Sequence, residues 1–234
     1  MAQKTFLEIC QRTARECGVH HTSTQLPTTV VVQTGELLRI VEWVSEAWFT
    51  IQNLHDDWRF QRREATFATV AGQAEYTLAQ CGLSGSTFQG WVQGTFRNYL
   101  TATGFPSEAY MDDLNYDVWR DTYKFNANRA VQARPTSITV LPNDGLGLGL
   151  PPLVGYTILG DYYLAPVRMT LDADIPSLPE KHSYLLIVYE AMKSYGMYES
   201  APEVLARGER DGRKLLQILE RDQLPEPVLA GSFL

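Results

Sequence analysis

Cysteine is scarce in this chain. Cys10, Cys17 and Cys81 make an odd number without CxxC spacing, which argues against a disulfide framework or a structural zinc site and fits a reducing, intracellular origin. Basic residues are outnumbered, 20 Lys and Arg against 27 Asp and Glu, for a formal net charge of −7. Tight phosphate binding needs the opposite balance. No apolar run approaches the ~18 residues that would cross a bilayer. Lys4, Glu8, Arg12, Arg15 and Glu16 interrupt the stretch where a secretory signal would need its apolar core. The expectation is a soluble chain of cytoplasmic origin with no membrane partner. No internal repeat is visible.

The composition is that of a folded protein, with 44% hydrophobic and 20% charged residues. Aromatics reach 11%, including 12 Tyr and 5 Trp, residues favoured where a surface buries apolar area yet keeps a polar handle.

Helical periodicity brackets the chain. Phe6, Ile9, Cys10, Thr13 and Cys17 predict a first helix stopping at Gly18. Thr34 is an N-cap candidate for a helix over 35–54, with Leu37, Ile40, Val41, Val44, Trp48 and Ile51 on one stripe and Glu42, Glu46 and Gln52 outside it. Pro179 is placed as the first residue of a later helix presenting Tyr184, Leu185, Val188, Tyr189, Met192 and Tyr195. Ser200 is expected to cap the helix after that, whose charged middle (Arg207, Glu209, Arg210, Asp211, Arg213, Lys214) reads as a solvated face. Between these regions lie strand-like runs at 58–62, 66–70, 76–78, 136–141 and 154–159, with a short helix within Met111–Tyr123. Residues 79–108 carry no clear pattern. Gly145-Leu-Gly-Leu-Gly149 reads as a flexible hairpin loop, because it lacks a GK[ST] ending and is followed by Pro151-Pro152.

No catalytic constellation emerges. His20-His21 reads as a surface dipeptide, and His55-Asp56-Asp57 as a polar turn after a helix, although a hydrolase using those three residues is the enzymatic alternative. His182 has no recognisable triad partner. No enzyme, cofactor or metal is expected. Arg59, Arg62 and Arg63, interleaved with Trp58 and Phe60, form the most basic patch. It fits a strand with one packed and one charged face, a single-stranded nucleic-acid contact, or an ion-pairing subunit interface.

The fold class expected is α+β. A helical-bundle core comes from residues 1–56 and 177–223, with a β-rich insertion at 57–176 and an extended C-terminal tail at 224–234.

Trp58-Arg-Phe60 opens the β segment with Gly72-Gln-Ala-Glu-Tyr-Thr-Leu78. Tyr162-Tyr-Leu-Ala-Pro166 and Asp172-Ala-Asp-Ile-Pro-Ser-Leu-Pro179 follow, then a helix with Leu185, Leu186 and Tyr189-Glu-Ala191. In this order the chain resembles the adaptor (head-completion) proteins of tailed bacteriophages, most strongly over 34–78 and 156–222. The resemblance implies a virion protein of the head–tail connector, assembled in the host cytoplasm. It implies a homododecameric ring under the portal, joined to a stopper or tail-completion protein, around a channel that double-stranded DNA crosses without sequence-specific binding. It also implies that the tail docks on the portal through Leu224, Val228, Leu229, Phe233 and Leu234. Arg59, Arg62, Arg63, Trp91 and Trp119 are the candidates for subunit or neighbour contacts. The alternative is a small nucleic-acid-binding or regulatory protein using the Arg59/Arg62/Arg63 patch.

Overall fold

A computed structural model describes residues 4–19, 26–125 and 127–225. Its elements in chain order are α1 (Phe6–Glu16), α2 (Gly35–Asn53), β1 (Arg62–Ala68), β2 (Glu75–Tyr76), β3 (Phe88–Trp91), β4 (Arg97–Leu100), β5 (Ala109–Tyr110), β6 (Asp112–Asp113), α3 (Tyr116–Trp119), β7 (Ser137–Val140), β8 (Leu146–Leu148), β9 (Tyr156–Leu164), α4 (Leu185–Tyr198) and α5 (Pro202–Gln223). Five helices and two sheets among the described residues make the class α+β. Two compact units result: Met1–Phe60 with Pro166–Leu234, and Gln61–Ala165.

The helical unit claims more chain than the expected boundaries of 57 and 176 allow. Trp58, Phe60, Met169 and Leu178 are all buried in its core. The alternation at 58–62 is therefore not a strand until Arg62, where β1 begins. Residues 59–61 form a 3₁₀ turn, Trp58 and Phe60 pack with ring centroids 5.3 Å apart, and Trp58 Nε1 donates to the Ile51 carbonyl at 3.2 Å. α1 starts at a reciprocal cap in which Thr5 Oγ accepts from the Glu8 amide and the Thr5 amide donates to the Glu8 carboxylate. Along α2, Ile40, Val41, Val44, Trp48 and Ile51 are buried, as the stripe predicts.

Gln52 departs from that pattern. It lies off the apolar stripe but is only 1% exposed. Its Oε1 accepts from the Val167 amide at 3.1 Å, and its Nε2 donates to the Val167 carbonyl at 2.8 Å. One side-chain amide thus satisfies both backbone groups of a residue where the chain re-enters the unit. Ser45 Oγ donates to the Met169 carbonyl at 2.8 Å, and the Arg168 guanidinium lies 4.2 Å from the Phe49 ring centroid while pairing with Glu46. The polar side of α2 is covered by this returning strap. Farther along, the carbonyls of Asp174 and Asp172 accept from the amides of Phe6 and Leu7, two of the donors left open at the start of α1.

Two expected helix starts move. Pro179 precedes α4 by several residues, and the Leu185 amide is met instead by Ser183 Oγ at 3.2 Å. Ser200 does not cap α5. It sits at φ 54 in the tight turn from α4, leaving Ala201 at the cap and Pro202 as the first helical residue. The α4–α5 pair is close-packed through glycine. A Cβ on Gly196 would fall 2.7 Å from the Leu205 nitrogen, and one on Gly208 would fall 2.8 Å from the Tyr189 carbonyl oxygen.

In the β unit, β9 is the hub. It pairs along its length with β1, and on its other edge with β4 through its first half and β3 through its second. β5 extends that sheet beyond β4, and the second sheet runs β2-β8-β7-β6. Phe67, Phe96 and Ile158 from the first sheet share one core with Tyr76, Ile138, Leu146 and Leu148 from the second. Gly160 lies under Phe96, where a Cβ would fall 2.5 Å from the ring.

The centre of the Gly145–Gly149 stretch, Leu146–Leu148, is strand β8 rather than flexible loop. Leu146 and Leu148 point into the core with no exposed area, while the alternate face is glycine because Trp119 covers Gly147 and Ser137 covers Gly149. Strand geometry turns every second residue to the same side, so L-G-L-G-L encodes a filled face and an emptied one.

Two substitutions test these contacts. Gly208→Ala should lower stability by about 1–2 kcal/mol in chemical denaturation, because overpacking outweighs the ~1 kcal/mol gained in helix propensity; a gain would remove the close-approach argument. Gln52→Leu should cost about 1–2 kcal/mol, since it removes the two hydrogen bonds by which the buried side-chain amide holds the half-exposed Val167 backbone.

Candidate functional site

Among the described residues the titratable side chains are mostly paired or buried singly. Burial pushes the Cys10 thiol up beyond the reach of ordinary pH, and raises Cys17 and Cys81 to about 12 each. All three are structural rather than nucleophilic. His55 pairs with Glu220 on α5 at 3.1 Å and meets Trp58 edge-on, so it braces helices rather than joining Asp56 and Asp57 in a hydrolytic set. Among the described residues no group of three or more His, Cys, Asp or Glu could hold a metal ion. No described helix is long and apolar enough to cross a membrane. His20 and His21 lie outside the described residues.

The arginine patch loses its aromatic half. Trp58 and Phe60 are 0% and 8% exposed, so neither ring can stack on a base. Arg59, Arg62 and Arg63 remain exposed. Arg62 Nε donates to Asp161 of the paired strand at 2.8 Å, and Arg63 Nη1 donates to the Arg62 carbonyl at 2.8 Å. Trp91 is half-buried against Phe88 and Phe96, with Nε1 donating to the Asp144 carbonyl at 2.8 Å.

Trp119 is a correction. It is 1% exposed, and Nε1 donates to the Leu148 carbonyl at 2.8 Å over the glycine face of β8, so it is a core residue and not a surface contact. Of the five residues expected to dock on a portal, only Leu224 is described. It ends α5 and packs, half-buried, against the helical core. Val228, Leu229, Phe233 and Leu234 lie outside the described residues.

What the structure does present is apolar surface. In the helical unit Val32 is 90% exposed at φ 61, a left-handed backbone that a β-branched residue rarely adopts. Beside it Val31 is half exposed, and the Val30 amide is held by Asp172 Oδ1 at 2.5 Å. Leu171 and Ile175 of the strap are also exposed. Asp174 fixes that turn: its carboxylate accepts from the amides of Thr170 at 2.6 Å and Leu171 at 2.8 Å, and these bonds hold its carboxyl below the usual range. The β unit contributes a second surface, a cavity of about 350 Å³ lined by Tyr123, Leu148 and Pro151, with Phe125 and Arg129 exposed at its mouth. Lys124, also in the lining, pairs with Glu75 at 2.9 Å. Sequence reading missed both surfaces, since a single exposed valine or phenylalanine carries no periodic signal.

A family model described as SU10 adaptor protein matches residues 4–228, which takes in both units. No curated protein matches the chain.

The Asp174 turn carries a pH dependence. Its folded carboxyl is depressed, so its stabilising contribution is present above the unfolded value of about 3.9 and is lost as pH falls through the folded one. Amide exchange at Thr170 and Leu171 should be protected near neutrality and quicken in acid relative to the rest of the unit. In Asp174→Ala the two amides should exchange fast at every pH; equal protection in the variant would dismiss the carboxylate's role.

Proposed function

The chain belongs to the SU10 adaptor protein family, and we propose that it forms a ring beneath the portal of a phage head–tail connector, linking the portal to a stopper or tail protein and lining the path of the DNA. As a member of that family it is a bacteriophage adaptor and a component of the virion. The match across nearly the whole chain carries this reading, and the surfaces support it. An adaptor acts by burying apolar area against neighbours, and the helical unit offers Val31, Val32, Leu171 and Ile175 for that purpose. Arg59, Arg62, Arg63 and Trp91 are assigned to contacts with neighbouring subunits. A homododecamer is the assembly that matches a portal of the same order.

The segment after α5 is assigned to the portal. Leu224, Val228, Leu229, Phe233 and Leu234 supply apolar anchors, and Pro225 and Pro227 reduce the entropy lost on docking. The net charge of −7 suits a conduit, since like charge keeps phosphate from adhering. The regulatory, nucleic-acid-binding alternative is left with three arginines and no stacking platform.

Co-expression with a phage portal protein tests the assignment. The full chain should co-purify with the portal, and deletion of residues 225–234 should abolish that association while leaving the helical circular dichroism signal in place. Retention after the deletion would end the portal role of the segment. The isolated chain should show no measurable DNA affinity at physiological salt, whereas salt-dependent binding lost in an Arg59/Arg62/Arg63→Ala variant would favour the alternative.

A further inference from the structure

β1 closes one side of the first sheet, whose order is β1-β9-β4-β5. It pairs with β9 in unbroken antiparallel register from Arg62↔Tyr163 to Ala68↔Thr157. One step farther, the Thr69 amide donates to the Tyr156 carbonyl at 2.7 Å. Antiparallel neighbours alternate between bonded and unbonded pairs, so Thr69, Phe67, Ala65 and Arg63 turn their backbone groups towards β9. Arg62, Glu64, Thr66 and Ala68 turn theirs away. β9 agrees with this phase, because the carbonyl of Asp161, opposite Glu64, accepts from the Val92 amide on the far side at 2.8 Å. The Arg62 carbonyl is covered by Arg63 Nη1. Among the described residues the outward N–H and C=O of Glu64, Thr66 and Ala68 meet no backbone partner.

Sheet edges are ordinarily blunted by proline, lysine, bulges or brevity. The opposite side of this sheet uses two of those devices: β3 slips register between Phe88 and Gly90, and β5 has two residues. Glu64–Ala68 has neither, and it carries no proline. Its exposed side chains are Glu64, Thr66 and Ala68, while Ala65 and Phe67 are 4% and 7% exposed on the core side. Arg62 is engaged by Asp161, but the Glu64 carboxylate pairs with no cation among the described residues. We propose that β1 is a strand-addition site, at which an extended segment of a partner protein pairs with Glu64–Ala68. The segment sets a Lys or Arg opposite Glu64, with its alternate residues apolar beside Ala65 and Phe67. Charge decides against β1 of a second copy as the occupant. A two-fold antiparallel pairing that uses 64–68 sets Glu64 against Glu64, Thr66 or Ala68, never against a cation. The register that sets Arg62 against Glu64 runs Thr66 into the 3₁₀ turn at 59–61. The site stands whether or not the chain forms a ring.

Amide exchange on the isolated full chain, followed by NMR with no portal present, tests the open edge. Glu64, Thr66 and Ala68 should exchange roughly tenfold faster than Ala65, Phe67 and Thr69, or more. Equal protection of both sets in dilute solution would mean that the edge is already covered, and would overturn the proposal. A blocked peptide, Thr-Val-Lys-Val-Thr-Val-Thr, is the probe for a partner strand. At millimolar concentration it should slow the three outward amides, and replacing its Lys by Glu should weaken binding roughly threefold. Glu64→Lys should reverse that preference. Thr66→Pro, which removes an outward N–H, should lose the binding while the amide signals of Ile138 and Leu148 in the second sheet stay in place. No protection by the peptide, or indifference to its charge in both chains, would overturn the proposal. Protection that grows with the chain's own concentration would identify a second copy as the occupant, and overturn it equally.

Discussion

One buried amide organises the helical unit. Gln52 faces the backbone of Val167 and satisfies both its N–H and its C=O. A chain that returns from an excursion of about a hundred residues must re-enter a core with its backbone polar groups paired, and no strand or helix is available to pair them at that point. The side chain supplies what a neighbouring strand would. Once Val167 is held, Met169 and Leu178 reach the core, Arg168 lies over Phe49, and the carbonyls of Asp172 and Asp174 close the first turn of α1. Elements far apart in sequence thus meet on one strap, which also presents exposed Leu171 and Ile175.

The β unit solves the complementary problem of filling space between two sheets. Its glycines serve as sockets for aromatic rings, Phe96 over Gly160 and Trp119 over Gly147. A ring laid flat on a strand buries large apolar area while leaving the backbone ladder intact. The α4–α5 pair uses the same device in helical form, with Gly196 and Gly208 letting backbone meet backbone. Close approach of this kind makes rigid elements, and rigid elements can hold surface residues such as Val32 and Phe125 exposed without collapse onto the core.

Function follows from what the units leave open. Among the described residues the thiols are buried, His55 braces helices and His182 lies enclosed, and Arg62 and Arg63 sit beside carboxylate and carbonyl partners. An adaptor needs shape and surface more than reactive groups, and the family match extends over both units. Apolar positions exposed on each unit are the structural counterpart of that role.

Periodicity made the cores of α1 and α2 legible, because a buried stripe at 3.6-residue spacing is written locally; the α+β class was readable on similar grounds. Elsewhere the pattern was present but its partner was not. Gln52 looks solvent-facing until Val167 arrives from 115 residues away to accept it. L-G-L-G-L looks like a loop until Trp119 fills its empty face, and Trp119 looks like an interface until that strand covers it. Composition and local spacing therefore determined which segments could be helix or strand. Only the tertiary structure decided which polar and aromatic residues were inside, because their burial is settled by partners that no local window contains.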